Sequence, residues 1–103
     1  MSITIARYSF AGPFSTKAEL EDRSGVYAVL CRKDGSYSVL DVGEAAAVRT
    51  RVQSHDREDC WKRNCSGTIM YAALYTPKLQ QPGRMEIEQK IRQALPDIPC
   101  GKR

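Results

Sequence analysis

The sequence has no run of about 18 apolar residues and no basic segment followed by an apolar core after Met1. The first absence argues against a transmembrane helix and the second against a secretory signal. We therefore predict a cytoplasmic protein with no membrane partner, in which all four cysteines are reduced thiols. A single histidine and the lack of CxxC pairs also argue against a zinc site.

Internal repeats, low-complexity tracts and interdomain linkers are missing as well. A length of 103 residues suits one domain, so we predict a single domain over residues 1–103. Hydrophobic residues make up 42% of the chain and charged residues 27%, which is typical of a globular protein that buries a core.

The formal net charge of +4 permits a polyanionic partner without requiring one. Basic residues collect in the middle of the chain and at its C-terminal end: Arg49, Arg51, Arg57, Lys62, Arg63, Lys102 and Arg103. They either contact phosphates, which gives salt-sensitive binding without sequence preference, or form a solvated surface of mixed charge. The second alternative stays open because Asp56, Glu58 and Asp59 lie among them.

Short segments with β-forming residues and flanking turn signals predict strands at residues 4–10, 26–31, 37–42 and 68–75. Gly12-Pro13 should end the first of them. Asp34-Gly35 favours a tight hairpin between the second and third. We expect a small antiparallel sheet of about three to four strands.

Helical segments are predicted at residues 17–21, 44–55, 56–64 and 84–95. Thr16 and Glu19 have the spacing of a capping box at the first of these segments. Consecutive alanines from Ala45 favour the second, which should run for about three turns. Trp61 should be buried in the third, and one face of the last should bury Met85, Ile87, Ile91 and Leu95. The order of elements predicts an α+β fold in which helices flank the sheet.

The hairpin carries two glycine tripeptides, Gly25-Val26-Tyr27 and Asp41-Val42-Gly43. Arg51 and His55 follow Gly43 by eight and twelve residues, and their spacing of four puts both on one face of a helix. Glu88 lies on the last predicted helix, four residues after Arg84 and three before Ile91. In order and spacing, these residues resemble the GIY-YIG nuclease family across residues 24–100.

The resemblance implies a GIY-YIG endonuclease-like fold and a metal-dependent endonuclease that hydrolyses DNA phosphodiester bonds. It implies that Glu88 anchors Mg²⁺ or Mn²⁺ and that Tyr27 positions or deprotonates the attacking water. Arg51 has a planar fork that matches phosphate oxygens, and His55 has a pKa suited to a base. Either Tyr27 or His55 could be the base. Further substrate contacts are expected from Arg49, Arg57 and Arg84.

Two positions depart from the family pattern. Asp41 stands where the family has its second tyrosine, and Cys100 stands near the place of an asparagine. Asp41 could be an additional metal ligand or base, a sign of a decayed site, or a side chain paired with Arg49 or Arg51. The alternative function is therefore a catalytically impaired module that binds nucleic acid or a protein partner. A structural protein without a nucleic-acid role, and the oligomeric state, stay open.

Overall fold

A five-stranded antiparallel sheet with three α-helices makes up the fold in the computed structural model, which describes residues 1–101. The strands are β1 (Ser2–Ile5), β2 (Tyr8–Phe14), β3 (Gly25–Lys33), β4 (Ser36–Ala45) and β5 (Thr68–Tyr75). The helices are α1 (Val48–Gln53), α2 (Glu58–Arg63) and α3 (Gln81–Ala94). This confirms the α+β class. The predicted basic tip at Lys102 and Arg103 lies outside the described residues.

The strand order is β1-β2-β5-β3-β4, so the sheet has more strands than the three to four expected. The extra strand arises because residues 2–14 form a hairpin instead of one short strand. Its turn uses positive φ angles at Ala6 and Arg7. Gly12-Pro13 was wrongly predicted to end the strand. Pro13 has no N–H to donate, and it sits where the pairing of β2 with β5 is irregular.

Alternate residues of β3 face two different cores. Val26, Ala28 and Leu30 pack with Ile91 of α3 on one face of the sheet. Tyr27, Val29 and Cys31 pack on the other face with Val48 and Val52 of α1 and with Trp61 of α2. This period of two is the usual geometry of a strand buried on both faces. The predicted burial of Trp61 is confirmed, since its exposure is 0%.

A register shift interrupts the β3–β4 hairpin next to Asp41. Val29 pairs with Asp41 and Leu30 pairs with Val39, which leaves Leu40 as an extra residue in β4. Such a bulge turns two successive side chains toward one face. Leu40 packs into the core shared by α1 and α2, and Asp41 bonds Trp61 of α2 and Arg57, which directly precedes that helix. The bulge therefore brings Asp41 to the face that also holds Tyr27.

The predicted helix at residues 44–55 is shorter than expected. Glu44 and Ala45 continue β4 by pairing with Val26 and Gly25, so ladder hydrogen bonds prevail over the helix propensity of alanine. In contrast, α3 begins earlier than predicted because Pro82 occupies its first turn, where its missing N–H is tolerated. Met85 is 37% exposed, against the prediction, and Arg84 takes the buried position.

All four cysteines are paired, which makes the expectation of reduced thiols wrong. Cys31 bonds Cys65 and Cys60 bonds Cys100, with Cα atoms 5.5 and 5.9 Å apart. The partners are 34 and 40 residues apart in the chain, so only the tertiary fold brings them together. The cytoplasmic location was inferred from the lack of a secretory signal and not from the cysteines, and it stays a prediction. Within residues 1–101, no helix is long and apolar enough to cross a membrane.

Candidate functional site

Tyr27 lies across the β3–β4 hairpin with its hydroxyl over Gly43. The two residues are directly paired in the ladder, and a Cβ atom at position 43 would collide with the phenol ring. Gly43 is therefore needed for space, since its φ is ordinary and no turn is required there. Tyr27 is only 2% exposed, so its hydroxyl lies beneath neighbouring side chains.

His55 holds the Tyr27 hydroxyl from the loop between α1 and α2. The distance from Tyr27 Oη to His55 Nε2 is 2.6 Å, and the backbone N–H of Arg57 donates to His55 Nδ1 at 3.0 Å. Because Nδ1 accepts, a neutral His55 carries its proton on Nε2. His55 therefore donates to the tyrosine oxygen, and the Tyr27 proton is free to be donated elsewhere.

The pKa values of this pair support the same assignment. Burial, reinforced by the charges of Arg51 and Arg57, lowers the pKa of His55 to about 4, so the ring is neutral at pH 7. Burial raises the pKa of Tyr27 to about 12, although Arg57 and Arg51 oppose the shift. At neutral pH Tyr27 is thus a protonated hydrogen-bond donor and His55 a neutral one.

Asp41 lies at the centre of a buried ionic cluster and is 0% exposed. Arg57 binds its two oxygens as a fork, with Nε 2.7 Å from Oδ2 and Nη2 3.2 Å from Oδ1. Trp61 Nε1 donates to Oδ2 and Arg92 Nη2 to Oδ1, both at 2.8 Å. Burial alone would raise the pKa of Asp41, but these bonds outweigh it and hold the pKa below its usual value.

These contacts decide among the interpretations of Asp41. Four donors occupy its oxygens, which leaves little capacity for a metal ion or for accepting a proton. It is paired, but with Arg57 and Arg92 instead of Arg49 or Arg51. These contacts favour the interpretation of Asp41 as a paired side chain, and its catalytic role as a metal ligand or base stays a prediction.

Glu88 lies at the edge of this cluster, one turn before Arg92 on α3. Its Oε2 accepts from Arg92 Nε at 3.1 Å, and its side chain is 19% exposed. It also lines a cleft of about 420 Å³ together with Met85, Arg92, Leu95 and Ile98. Glu86, two residues before Glu88 on the same helix, pairs with Lys90 on the surface. Of the two, Glu88 is the one that Arg92 links to Asp41, and its charge helps to raise the pKa of Tyr27.

The predicted basic residues separate into two groups. Arg51 and Arg57 lie beside His55 and Tyr27, although Arg51 also bonds Asp56 at 2.8 Å. Arg49 reaches back to the Leu20 carbonyl at 3.5 Å. Arg84 is 8% exposed and is held by Glu44 at 2.9 Å. The structure therefore does not bring Arg49 and Arg84 to the site.

A resident metal ion would have few protein ligands here. Within residues 1–101, no group of three or more His, Cys, Asp or Glu side chains converges. Glu88 offers one carboxylate beside the cleft, with Oε2 already taken by Arg92. Mg²⁺ commonly binds through one or two carboxylates, its own waters and substrate phosphates. Glu88 therefore fits an ion held jointly with a phosphate, but not one held by the protein alone.

Arg92 is the main site residue that the sequence analysis missed. It joins Glu88 to Asp41 and also donates from Nη1 to the Cys100 carbonyl at 3.0 Å. A signal was present, since Glu88 and Arg92 have the i,i+4 spacing of a helical ion pair. The contact of Arg92 with Asp41 joins residues that are 51 positions apart, so a local sequence pattern could not predict it.

Comparisons of the chain with models of protein families, with curated proteins and with solved structures found no match. The assignment of a function therefore rests on the geometry of this site.

Proposed function

We propose that the protein is a phosphodiesterase of the GIY-YIG type, a metal-dependent endonuclease-like domain that acts on DNA. One observation carries the proposal: the Tyr27 hydroxyl lies 2.6 Å from His55 Nε2, and the charges of Arg51 and Glu88 both influence the pKa of Tyr27. The family resemblance predicted these four residues as one set.

The chain's own residues suit charge stabilisation better than proton abstraction. Once the side chains that cover it move, Tyr27 can donate its hydroxyl proton to a phosphoryl oxygen, because His55 supplies the opposing hydrogen bond. Arg51 can bind the same phosphate through its guanidinium. Donors that are positioned before charge develops are usually a large part of catalysis.

Glu88 would hold Mg²⁺ or Mn²⁺ together with the substrate phosphate. When bound, such an ion supplies Lewis acidity and a water that loses its proton more readily. In this arrangement neither Tyr27 nor His55 has to act as the base. It also agrees with the high pKa of Tyr27 and with the Nε2-protonated form of His55.

The test is cleavage of plasmid and branched DNA in Mg²⁺ or Mn²⁺ by the disulfide-bonded protein. Glu88→Gln and Tyr27→Phe should each lower the rate on the order of a hundredfold or more. Glu86→Gln is the matched control, because it removes a carboxylate from the outer face of the same helix. A Glu88→Gln variant that cuts as well as the parent would remove the metal-anchor role.

A second candidate function is binding without cleavage, as a catalytically impaired module for nucleic acid or a protein partner. It is favoured by the burial of Tyr27, which is 2% exposed, and of the His55 side chain, which is 0% exposed. A phosphate reaches the tyrosine hydroxyl only if covering side chains move. Salt-dependent DNA binding with no cleavage of any substrate by the parent protein would favour this candidate.

A further inference from the structure

Asp41 and Arg57 form the most completely bonded pair in the site. The guanidinium faces the carboxylate edge to edge, with Nε on Oδ2 and Nη2 on Oδ1. This bidentate arrangement fixes the plane of the guanidinium as well as its position. Asp41 is itself held by Trp61 and Arg92, so it gives Arg57 a rigid support.

The two guanidinium groups on Asp41 are not equivalent. Arg92 uses all three nitrogens, on Glu88, on the Cys100 carbonyl, and on Asp41 together with the Val42 carbonyl. Arg57 uses two, and its Nη1 has no hydrogen-bond partner among residues 1–101. The Arg57 side chain is 30% exposed, whereas that of Asp41 is 0% exposed. Arg57 is therefore the group of this cluster that retains donors for a ligand.

Arg57 also lies next to the proposed reaction centre. Its backbone N–H fixes the tautomer of His55 at 3.0 Å, and its guanidinium influences the pKa of both Tyr27 and His55. An exposed aspartate would repel a phosphate, but Asp41 is buried and paired with two cations. What a phosphate meets at this position is a guanidinium with a free N–H edge.

We propose that Asp41 is a positioning residue that holds Arg57 so that its free edge binds a backbone phosphate of the DNA beside Tyr27. This inference deepens and rests on the proposed function. Arg57 was predicted from charge alone as one of several basic residues. The structure distinguishes it by its orientation, which a flexible surface arginine would lack and which reduces the entropy lost on binding.

The experiment measures how the affinity for a short DNA duplex depends on salt. Each phosphate contact that releases a counterion contributes about 0.9 to the slope of log Kobs against log salt concentration. Arg57→Gln should lower the magnitude of that slope by about 0.9. Arg32→Gln is the control, because Arg32 is exposed at the far end of β3, on the strand face opposite to that of Tyr27. Fluorescence of Trp61, the only tryptophan, checks that each variant is folded.

A double-mutant cycle tests the positioning role of Asp41. Asp41→Asn should weaken DNA binding in the parent protein but have no further effect in the Arg57→Gln background. A merely structural role for Asp41 would weaken both backgrounds equally and would overturn its assignment as a positioning residue. An Arg57→Gln slope equal to that of the parent would overturn the Arg57 contact and leave the proposed function standing. If the parent protein shows no salt-dependent binding to DNA, both proposals fail.

Discussion

Replacing Asp41 by asparagine should destabilise the fold strongly, although the two side chains have nearly the same shape. Asparagine removes the charge that balances Arg57 and Arg92, which lie 2.7 and 2.8 Å from the carboxylate. It also replaces an oxygen that accepts hydrogen bonds with an NH₂ group, which faces the N–H donors and cannot accept from them. Removing one member of a buried ion pair typically costs about 3–5 kcal/mol.

The magnitude should lie near the lower end of that range, at about 3 kcal/mol. The reason is that Arg57 and Arg92 are 30% and 21% exposed, so water can solvate part of the charge left behind. A domain of this size has a total stability of about 5–15 kcal/mol, so the loss is large. Urea unfolding at pH 7, followed by Trp61 fluorescence, should show a midpoint lower by about 1–3 M for slopes of about 1–3 kcal/mol/M.

The effect should depend on pH in a defined direction. Burial would raise the pKa of Asp41, but the bonds from Arg57 and Trp61 lower it below the ordinary value of 3.8. A lowered folded-state pKa contributes stability that is present above the unfolded-state pKa and is lost as the pH falls through the folded value. The difference in stability between parent and Asp41→Asn should therefore shrink below about pH 4.

Asp56→Asn is the matched control, because it removes a carboxylate that also bonds an arginine at 2.8 Å. Its side chain is 75% exposed and that of Arg51 is 38% exposed, so this surface pair should contribute far less to stability than the buried pairs of Asp41. If Asp41→Asn costs no more than Asp56→Asn, the description of Asp41 as the support of a buried cluster is wrong.

Two further predictions concern the histidine and the disulfides. The sole histidine, His55, should titrate near pH 4 in the folded protein instead of 6.5, and its burial as a neutral ring should remove about 3 kcal/mol of stability as the pH falls between those values. Proton NMR of the imidazole checks this, and a midpoint near 6.5 with the fold intact would contradict it. Reducing either disulfide, Cys31–Cys65 or Cys60–Cys100, should cost about 4 kcal/mol, since the closed loops span 34 and 40 residues. Urea midpoints with and without reductant measure the loss. In a Cys60→Ser/Cys100→Ser variant, reductant should remove only the stabilisation that comes from Cys31–Cys65. Unchanged midpoints after complete reduction would refute the estimate.

Local sequence patterns were sufficient to predict the elements that depend on neighbouring residues. Asp34-Gly35 predicted the β3–β4 turn, and the capping box of Thr16 with Glu19 is present at a one-turn 3₁₀ helix, Lys17–Glu19. Both depend on interactions between residues a few positions apart, which the sequence displays directly. The family resemblance also named both Tyr27 and His55, and these two side chains are hydrogen-bonded in the fold.

By itself, the sequence determined the α+β class and the order of the hairpin and helices, and it singled out Tyr27 and His55, which are in contact. Tertiary structure alone decided the partners of Asp41, because Arg57 precedes α2, Arg92 lies on α3, and a bulge in β4 turns Asp41 toward them. It also decided the disulfide pairing and the late start of the helix predicted after Gly43. Each of these outcomes depends on an interaction between segments that are distant in the chain: the pairing of buried charges, the hydrogen bonds of the β-ladder, or the approach of two cysteines. These interactions exist only once the segments have packed together.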